Sequence, residues 1–279
     1  MSVGSGAQQD RIFGGAQLVA HKMAEALGDR VHLSAPVLRV EQHASSVQVV
    51  TQNQTVRAAR AIIALPPPAA SRVVYDPPLS PAKSQLLKRQ PMGAVIKVTL
   101  LYGAPFWRAA GLSGQVFSDT GAVRMTFDNS APGSSSGVLM GFIEGQEARR
   151  VSLLDEESRE AEVVSCLVRY FGPEAETYLS YHEKDWLKDP WAQGGYGAYL
   201  EPGAWTEHGA ALRRPCGRVH WAGTETSSVW NGYMEGAVRS GERAAQEVID
   251  AEEAVSSWPL KNCFKTSGTT LPNYEPVAI

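Results

Sequence analysis

The sequence predicts a protein of mixed α/β and α+β class, in which one domain is split along the chain around a second one. Two short continuous apolar runs, at 60–65 and 219–222, are typical of buried strands and lie far apart in the sequence. The stretch between them has a different texture, with alternating strands and a long amphipathic helix. At 279 residues, the chain is long enough to form two such interleaved units.

The first part of the chain predicts a helix followed by a set of strands. The helix covers Gln17–Leu27, where apolar residues recur at helical spacing, and Gly28 ends it. Four strand-like pieces follow, and then a fully buried strand that is stopped by three prolines. These strands are predicted at 31–34, 36–42, 46–52, 54–58 and 60–65.

The middle of the chain alternates apolar and polar residues before a helix that Gly172 and Pro173 close. Its strands and its helix are predicted at 93–102, 121–127, 137–143 and 155–171. Lys97 interrupts the first of these strands. Because burying an ammonium is costly, spacing alone favours a lysine at a sheet edge, with its stem on apolar surface and its charge in water.

A polar loop joins the second apolar run to a helix in "VHWAGTETSSVWNGYMEGAV", with Asn231 as the expected N-cap. Gly241 lies on the small and apolar stripe of this helix and predicts close packing there. Two acid–base pairs are expected on the solvent side, Glu235 with Arg239 and Arg243 with Glu247. The first turn offers unpaired N–H groups and the positive end of the helix dipole, which favour an electron-rich ligand edge.

Composition excludes several classes of function. A net charge of −3 and a pI near 6.1 argue against a nucleic-acid partner. The three cysteines are widely spaced and predict free thiols, and the six histidines show no metal-ligand spacing and are expected on the surface. No apolar run is long enough for a transmembrane segment, and residues 1–15 predict an irregular N-terminus without a signal peptide. We therefore expect a soluble cytoplasmic protein with a flexible tail at 251–279.

These patterns coincide with those of one family. The segment "AGTET", followed by "GYMEGAV" and "SGERAA", closely resembles the C-terminal flavin-binding motif of the flavin-containing amine oxidases, particularly the monoamine oxidases. The stretches "DRIFGGAQLVAHKMAEAL", "AIIALPPP", "DPPLSPAKSQLLKRQPMGAVIKVTLLYGAPFW" and "EKDW" occur in the family's order and spacing. The resemblance covers roughly residues 8 to 250.

The resemblance implies a set of site residues. Lys97 matches the lysine that holds a water against the flavin N5, which displaces the sheet-edge interpretation. Tyr196 and Tyr233, which taken singly are more consistent with core aromatics, match the pair that flanks the amine. These three are the candidate catalytic residues. The implied FAD-binding residues are Val37, Trp186, Gly223, Thr224, Glu225, Gly232, Tyr233 and Met234.

The resemblance also implies a domain plan. Residues 16–87 and 191–250 would form parts of a Rossmann-like FAD-binding domain, and 88–190 a mixed-sheet and helical substrate-binding domain. That FAD-binding domain is expected to be incomplete, because the family's first strand and its G-x-G-x-x-G turn have no counterpart here. Gly195 stands where monoamine oxidases carry the cysteine that attaches their cofactor, so non-covalent FAD is expected.

The implied reaction is oxidation of a primary or secondary monoamine to an imine and then an aldehyde, with O2 reduced to H2O2. A small-molecule amine and O2 would be the partners, and a homodimer stays open. An inactive fragment that serves as a binding module, a polyamine oxidase and an amino-acid oxidase remain alternatives. An amino-acid oxidase would need an arginine clamp for the substrate carboxylate, which the sequence does not locate.

Overall fold

The computed structural model describes residue 10 and residues 12–257. Its helices are α1 Gln17–Leu27, α2 Pro67–Arg72, α3 Pro81–Lys88, α4 Phe106–Ala109, α5 Gly145–Val151, α6 Glu156–Phe171, α7 Ala204–His208 and α8 Met234–Ser257. Its strands are β1 Val37–Gln42, β2 Val47–Thr51, β3 Thr55–Ala58, β4 Ala61–Ile63, β5 Val74–Asp76, β6 Val95–Tyr102, β7 Val116–Phe117, β8 Met125–Asp128, β9 Gly137–Glu144, β10 Ser180–Asp185 and β11 Val219–Trp221. Helices and sheets are thus mixed, as the sequence predicts.

The strands form three sheets. An antiparallel sheet has the order β10-β6-β9-β8-β7, and a four-stranded sheet has the order β3-β2-β1-β5. The third sheet pairs β11 with β4 in parallel, so that Val219 lies opposite Ala61 and Trp221 opposite Ile63. The two apolar runs, far apart in sequence, are therefore neighbours in space. The predicted domain boundaries stay a prediction.

The five-stranded sheet has one face in a hydrophobic core and one face open to the site. On β6, Ile96, Val98, Leu100 and Tyr102 are buried together with Val163 and Leu167 of α6. Because side chains alternate along a strand, Lys97 and Thr99 point to the opposite face. A second core joins the four-stranded sheet to β4, β11 and Leu87 of α3. The open face of the first sheet is where the candidate catalytic lysine lies.

Several sequence predictions are confirmed by these elements. α1 has the predicted bounds and ends at Gly28. α6 begins after Asp155, whose carboxylate accepts a hydrogen bond from the Ser158 N–H at 2.7 Å, and it ends at Gly172 with φ of 92°. Strands occur in the predicted alternating segments, although the expected one at 121–127 is β8 and begins only at Met125.

Other predictions are wrong. Residues 31–34 form no strand, with only Val31 in an isolated bridge. The strand at 61–63 is not fully buried, because Ile62 on its uncovered side is 41% exposed. His220 is buried and 3% exposed, not a surface histidine, since β11 lies beneath α8 and His220 Nδ1 is 3.1 Å from Glu247 Oε2.

The tail prediction is also wrong in part, because α8 continues through Ser257. Arg60 holds this end of the helix: its Nε donates to Glu252 Oε1 at 2.7 Å, and its NH2 donates to the Ala251 carbonyl at 3.4 Å. The predictions for residues 1–9, 11 and 258–279, including Cys263, lie outside the described residues. No helix in the described ranges is both long and apolar enough to cross a membrane.

Candidate active site

The loop between β11 and α8 is closed by one threonine. The Thr224 hydroxyl donates to the Tyr233 carbonyl at 3.0 Å and accepts the Gly232 N–H at 2.7 Å, so it joins both ends of the loop. Asn231 Nδ2 donates to the carbonyls of Thr224 and Glu225, both at 3.1 Å. Thr224 and Asn231 therefore fix the conformation of the loop, whose backbone lies next to the start of α8.

The N-cap prediction for Asn231 is wrong. The Tyr233 carbonyl accepts the first intrahelical bond, from Ala237 N at 3.1 Å, and the Asn231 side chain is occupied as a donor across the loop. Tyr233 and Met234 are exposed at this end of the helix, and the ring of Trp230 lies edge-on to Tyr233 at 5.7 Å. The first-turn N–H groups next to these residues have no intrahelical acceptor.

Gly236, rather than Gly241, is the close-packed glycine of α8. A Cβ at Gly236 would stand 2.1 Å from the Trp230 carbonyl oxygen and 2.9 Å from Thr224 Oγ1, whereas one at Gly241 would meet nothing within 4 Å. Ser240 is buried on the same side, and its Oγ accepts the Gly223 N–H at 3.0 Å. The buried face of α8 therefore differs from the apolar stripe read in the sequence.

Arg243 also lies on this buried side, although it was expected on the solvent side. The predicted pairs form, with Glu235–Arg239 at 2.7 Å and Arg243–Glu247 at 2.5 Å. Arg243 NH2 also donates to the Trp221 carbonyl at 2.7 Å and to Thr226 Oγ1 at 3.0 Å. Its guanidinium therefore joins α8 to the end of β11, just before the loop begins.

Glycines on two chain segments bring Tyr196 to the site. The Gly195 N–H donates to the Gly93 carbonyl at 2.8 Å, and the Gly93 N–H donates to the Gly197 carbonyl at 3.2 Å. A Cβ at Gly93 would stand 2.2 Å from the Gly195 carbonyl oxygen, and one at Gly194 would stand 2.4 Å from the Gly93 carbonyl oxygen. Only glycine allows these two chain segments to approach so closely.

Tyr196 begins a row of aromatic rings across the open face of the sheet. Its ring lies 5.7 Å from that of Phe142, which is 6.2 Å from Phe127, which in turn is 6.1 Å from Phe117. Tyr196 is 64% exposed, so it is not the core aromatic that a single tyrosine suggests. Partial desolvation and, after it, the Glu144 carboxylate raise the pKa of Tyr196, so the phenol stays protonated at neutral pH.

Lys97 lies on the same face as this row. It belongs to β6, an interior strand, so the sheet-edge interpretation is wrong. Lys97 is directly opposite Phe142 of β9 on one side and Lys184 of β10 on the other. The residue is exposed because the core covers only the other face. Trp186 follows β10, and its ring centroid is 5.1 Å from Lys184 Nζ.

The structure thus places the predicted residues in two groups and one separate position. Lys97, Trp186 and Tyr196 surround the open sheet face, with Trp186 Cγ 3.8 Å from where a Gly195 Cβ would lie. The second group is the loop with the start of α8: Gly223, Thr224, Glu225, Gly232, Tyr233 and Met234. Val37 lies in the four-stranded sheet and packs against the core that contains Trp221. Ring contacts of the described residues do not join Tyr196 to Tyr233 directly.

These residues fit a flavin. The first-turn N–H groups of α8 can donate to the electron-rich edge of an isoalloxazine ring, and the helix dipole favours the negative charge of its reduced form. Groups of histidine, cysteine and acidic residues that could hold a metal do not occur in the described ranges.

The sequence reasoning missed Phe142, Gly93 and Gly236. Phe142 had an available signal, because its strand alternates and every second residue must face away from the core. The two glycines had none, since their close partners are distant in sequence or lie in an irregular loop.

A sequence model of the family described as "Flavin containing amine oxidoreductase" matches residues 3–249. The chain therefore belongs to the flavin-containing amine oxidoreductase family. FAD is the cofactor of this family.

Individual relatives agree with this class. The chain is 43% identical over 248 residues to AofH of Mycobacterium tuberculosis, a protein named as a flavin-containing monoamine oxidase. The matched region covers 89% of this chain and 54% of AofH. Cyclohexylamine oxidase from Brevibacterium oxydans superimposes with a TM-score of 0.82 at 39% identity, over 86% of this chain and 54% of that one. Putrescine oxidase bound to putrescine superimposes with a TM-score of 0.81 at 38% identity, over 85% of this chain and 53% of that one. The chain spans about half the length of these relatives.

Proposed function

We propose that this chain contributes the amine-binding wall and one flavin-binding loop to an FAD-dependent oxidase of small apolar monoamines. The row from Tyr196 through Phe142 and Phe127 to Phe117 carries the proposal. These rings offer an amine's apolar body a continuous surface, and Tyr196 offers an electron-rich face to its nitrogen. The proposed product is an imine that hydrolyses to an aldehyde, and the proposed oxidant is O2, reduced to H2O2.

Each residue has a defined part in this function. The backbone of the loop and the first turn of α8 would hold non-covalent FAD, which accepts a hydride equivalent from the carbon next to the amine nitrogen. Tyr196 and Tyr233 would orient the amine and exclude water. Lys97 is exposed on this face, so its Nζ can donate a hydrogen bond to a water at the site.

A diamine is the second candidate, because of Glu144. This carboxylate lies beside Tyr196 on the site face and could pair with a second ammonium. Lys97 and Lys184 argue against it, since two ammonium groups on the same face repel another cation. Met125, Phe127 and Phe117, further along the row, carry no charge.

The test begins with the chain supplemented with FAD and separated by gel filtration. A flavin spectrum in the protein peak that bleaches without oxygen on addition of benzylamine supports the proposal. A colourless peak would mean that this chain does not hold FAD by itself, which contradicts the proposal for this chain alone and favours an inactive fragment. If putrescine bleaches the flavin better than benzylamine, and Glu144→Gln abolishes that preference, the diamine candidate replaces the monoamine.

Tyr196→Ala tests the amine-binding surface. Losing an aromatic face beside the amine weakens the binding free energy of the amine by about 1–2 kcal/mol. The concentration of benzylamine that half-bleaches the flavin therefore rises about tenfold. Tyr199→Ala is the control, because Tyr199 is also exposed and lies on the same paired segment through its N–H to the Pro91 carbonyl. Equal benzylamine dependence in the two variants would remove Tyr196 from the site.

A further inference from the structure

Asp189 makes several contacts next to the site that the proposed roles leave unexplained. Its Oδ1 accepts the N–H groups of Trp191 at 3.0 Å and Ala192 at 2.8 Å. Its Oδ2 accepts a hydrogen bond from Lys184 Nζ at 2.8 Å. Its own carbonyl accepts the Gln193 N–H at 2.9 Å, so Asp189 holds the turn of residues 189–193, which precedes Gly194, through hydrogen bonds.

The turn leads directly to the aromatic row. Two residues after Gln193, the Gly195 N–H donates to the Gly93 carbonyl, and the next residue, Tyr196, lies against Phe142. The two hydrogen bonds that Asp189 Oδ1 accepts, from the Trp191 and Ala192 N–H groups, fix the direction in which the chain leaves the turn toward Gly194. Movement of the turn would therefore shift the ring at the start of the row.

The other carboxylate oxygen acts on charge. Lys184 and Lys97 are directly opposite across β10 and β6, and directly opposed like charges on one sheet face repel. Asp189 partly neutralises Lys184 and holds its ammonium 5.1 Å from the Trp186 ring. The backbone N–H groups of Ala192 and Trp191, with Lys184, lower the pKa of Asp189 to about 2, so it is a carboxylate at neutral pH.

We propose that Asp189 is a positioning residue of the amine-oxidising site, which fixes the turn that delivers Tyr196 and shields Lys97 from the charge of Lys184. This inference rests on the proposed function for its purpose, but its two physical effects are measurable without flavin. The turn and the charge effects use different oxygens, so they can be separated by substitution.

Hydrogen exchange tests the turn in the full chain. Asp189→Ala removes the acceptor, so the amides of Trp191 and Ala192 exchange roughly tenfold faster or more, whereas Asp189→Asn keeps an acceptor oxygen and changes them much less. Lys188→Gln is the control, because it removes a nearby ion pair, to Asp185 at 3.6 Å, that does not touch the turn. Unchanged exchange in Asp189→Ala would overturn the positioning role.

Competitive acetylation of lysines tests the charge effect, which a merely structural residue would not show. In Asp189→Asn the Lys184 ammonium is no longer neutralised and repels the positive charge of Lys97 across the two strands more strongly, so we expect Lys97 to be labelled about twofold faster or more. Adding Lys184→Gln to that variant returns Lys97 to the parent rate. Equal labelling of Lys97 in the parent and Asp189→Asn would overturn the shielding. Neither measurement uses an amine or FAD, so failure of the proposed function would appear only in the flavin experiment.

Discussion

Lys83 is an almost completely buried lysine whose side-chain nitrogen contacts two backbone carbonyls and an aromatic ring. It is 1% exposed, and its Nζ donates to the carbonyls of Ala211 at 3.1 Å and Leu212 at 2.8 Å. Its Nζ also lies 3.6 Å from the centroid of the Trp221 ring, on the strand that leads into the loop before α8. Burial lowers the pKa of Lys83 to about 7, with a smaller lowering from Arg243.

This pKa predicts a pH-dependent stability. The lysine titrates near 10.5 when unfolded and near 7 when folded, so the unfolded chain binds more protons between those values. The free energy of unfolding therefore rises with pH across this window, by at most about 1.4 kcal/mol per pH unit. Lys83→Met removes this slope, which denaturant unfolding at several pH values would measure. Lys88→Met, on the exposed side of the same helix, should keep it; a slope unchanged in Lys83→Met would contradict the assignment.

At the scale of elements, α8 shows how a helix can be predicted while its packed face is not. Of its predicted stripe, Met234 and Val238 are exposed and Ala244 is buried, and the stripe did not include Gly236 and Ser240, which are also buried. Small residues bring the helix close to the loop, and their size, more than their hydrophobicity, makes that contact. Periodicity of apolar residues therefore predicts the packed face only in part.

Two matched substitutions on α8 test this difference. Gly236→Ala would place a Cβ 2.1 Å from the Trp230 carbonyl oxygen, so Trp230 or Thr224 must move. We expect the free energy of unfolding to fall by about 1–3 kcal/mol. Gly241→Ala has free space and gains helix propensity, so it should stabilise by about 0.5–1 kcal/mol. Thermal or denaturant unfolding of both variants measures the contrast. Equal effects would mean that the helix does not pack through Gly236.

At the scale of the whole molecule, large apolar side chains remain exposed on α1 and α8. They include Val19, Met23 and Leu27 on α1, and Met234, Val238 and Ile249 on α8. Contiguous apolar surface of this kind marks an interaction site or favours association. The two hydrophobic cores, by contrast, consist of buried side chains: one lies between β6 and α6, and the other between β1 and β11.

The exposed side of α8 should bind a hydrophobic dye. Replacing Met234 and Val238 with lysine should lower the fluorescence of bound anilinonaphthalene sulfonate without changing the far-UV circular dichroism, since both side chains already face water. Leu153→Lys is the control, because Leu153 is highly exposed and lies in the turn after α5. Dye binding that falls equally in the control would show that no coherent apolar surface exists on α8.

The sequence by itself determined the elements whose signals are local. α1 and α6 were predicted because apolar residues recur at helical spacing and because Gly28 and Gly172 end them. Alternation predicted β6, β8 and β9 of the five-stranded sheet, whereas β7 and β10 were not predicted. The family and its FAD followed from motifs that are contiguous in the chain.

Only the tertiary structure decided the relations between distant segments. Lys97 proved to lie on an interior strand because β10 pairs with β6, and Asp189 came next to the site because β10 ends beside Lys97. Lys83 became a buried charge only when the loop at 211–212 supplied two carbonyls. A periodic pattern reports which face of an element is apolar, but which surface it meets depends on chain topology, and no local spacing encodes that.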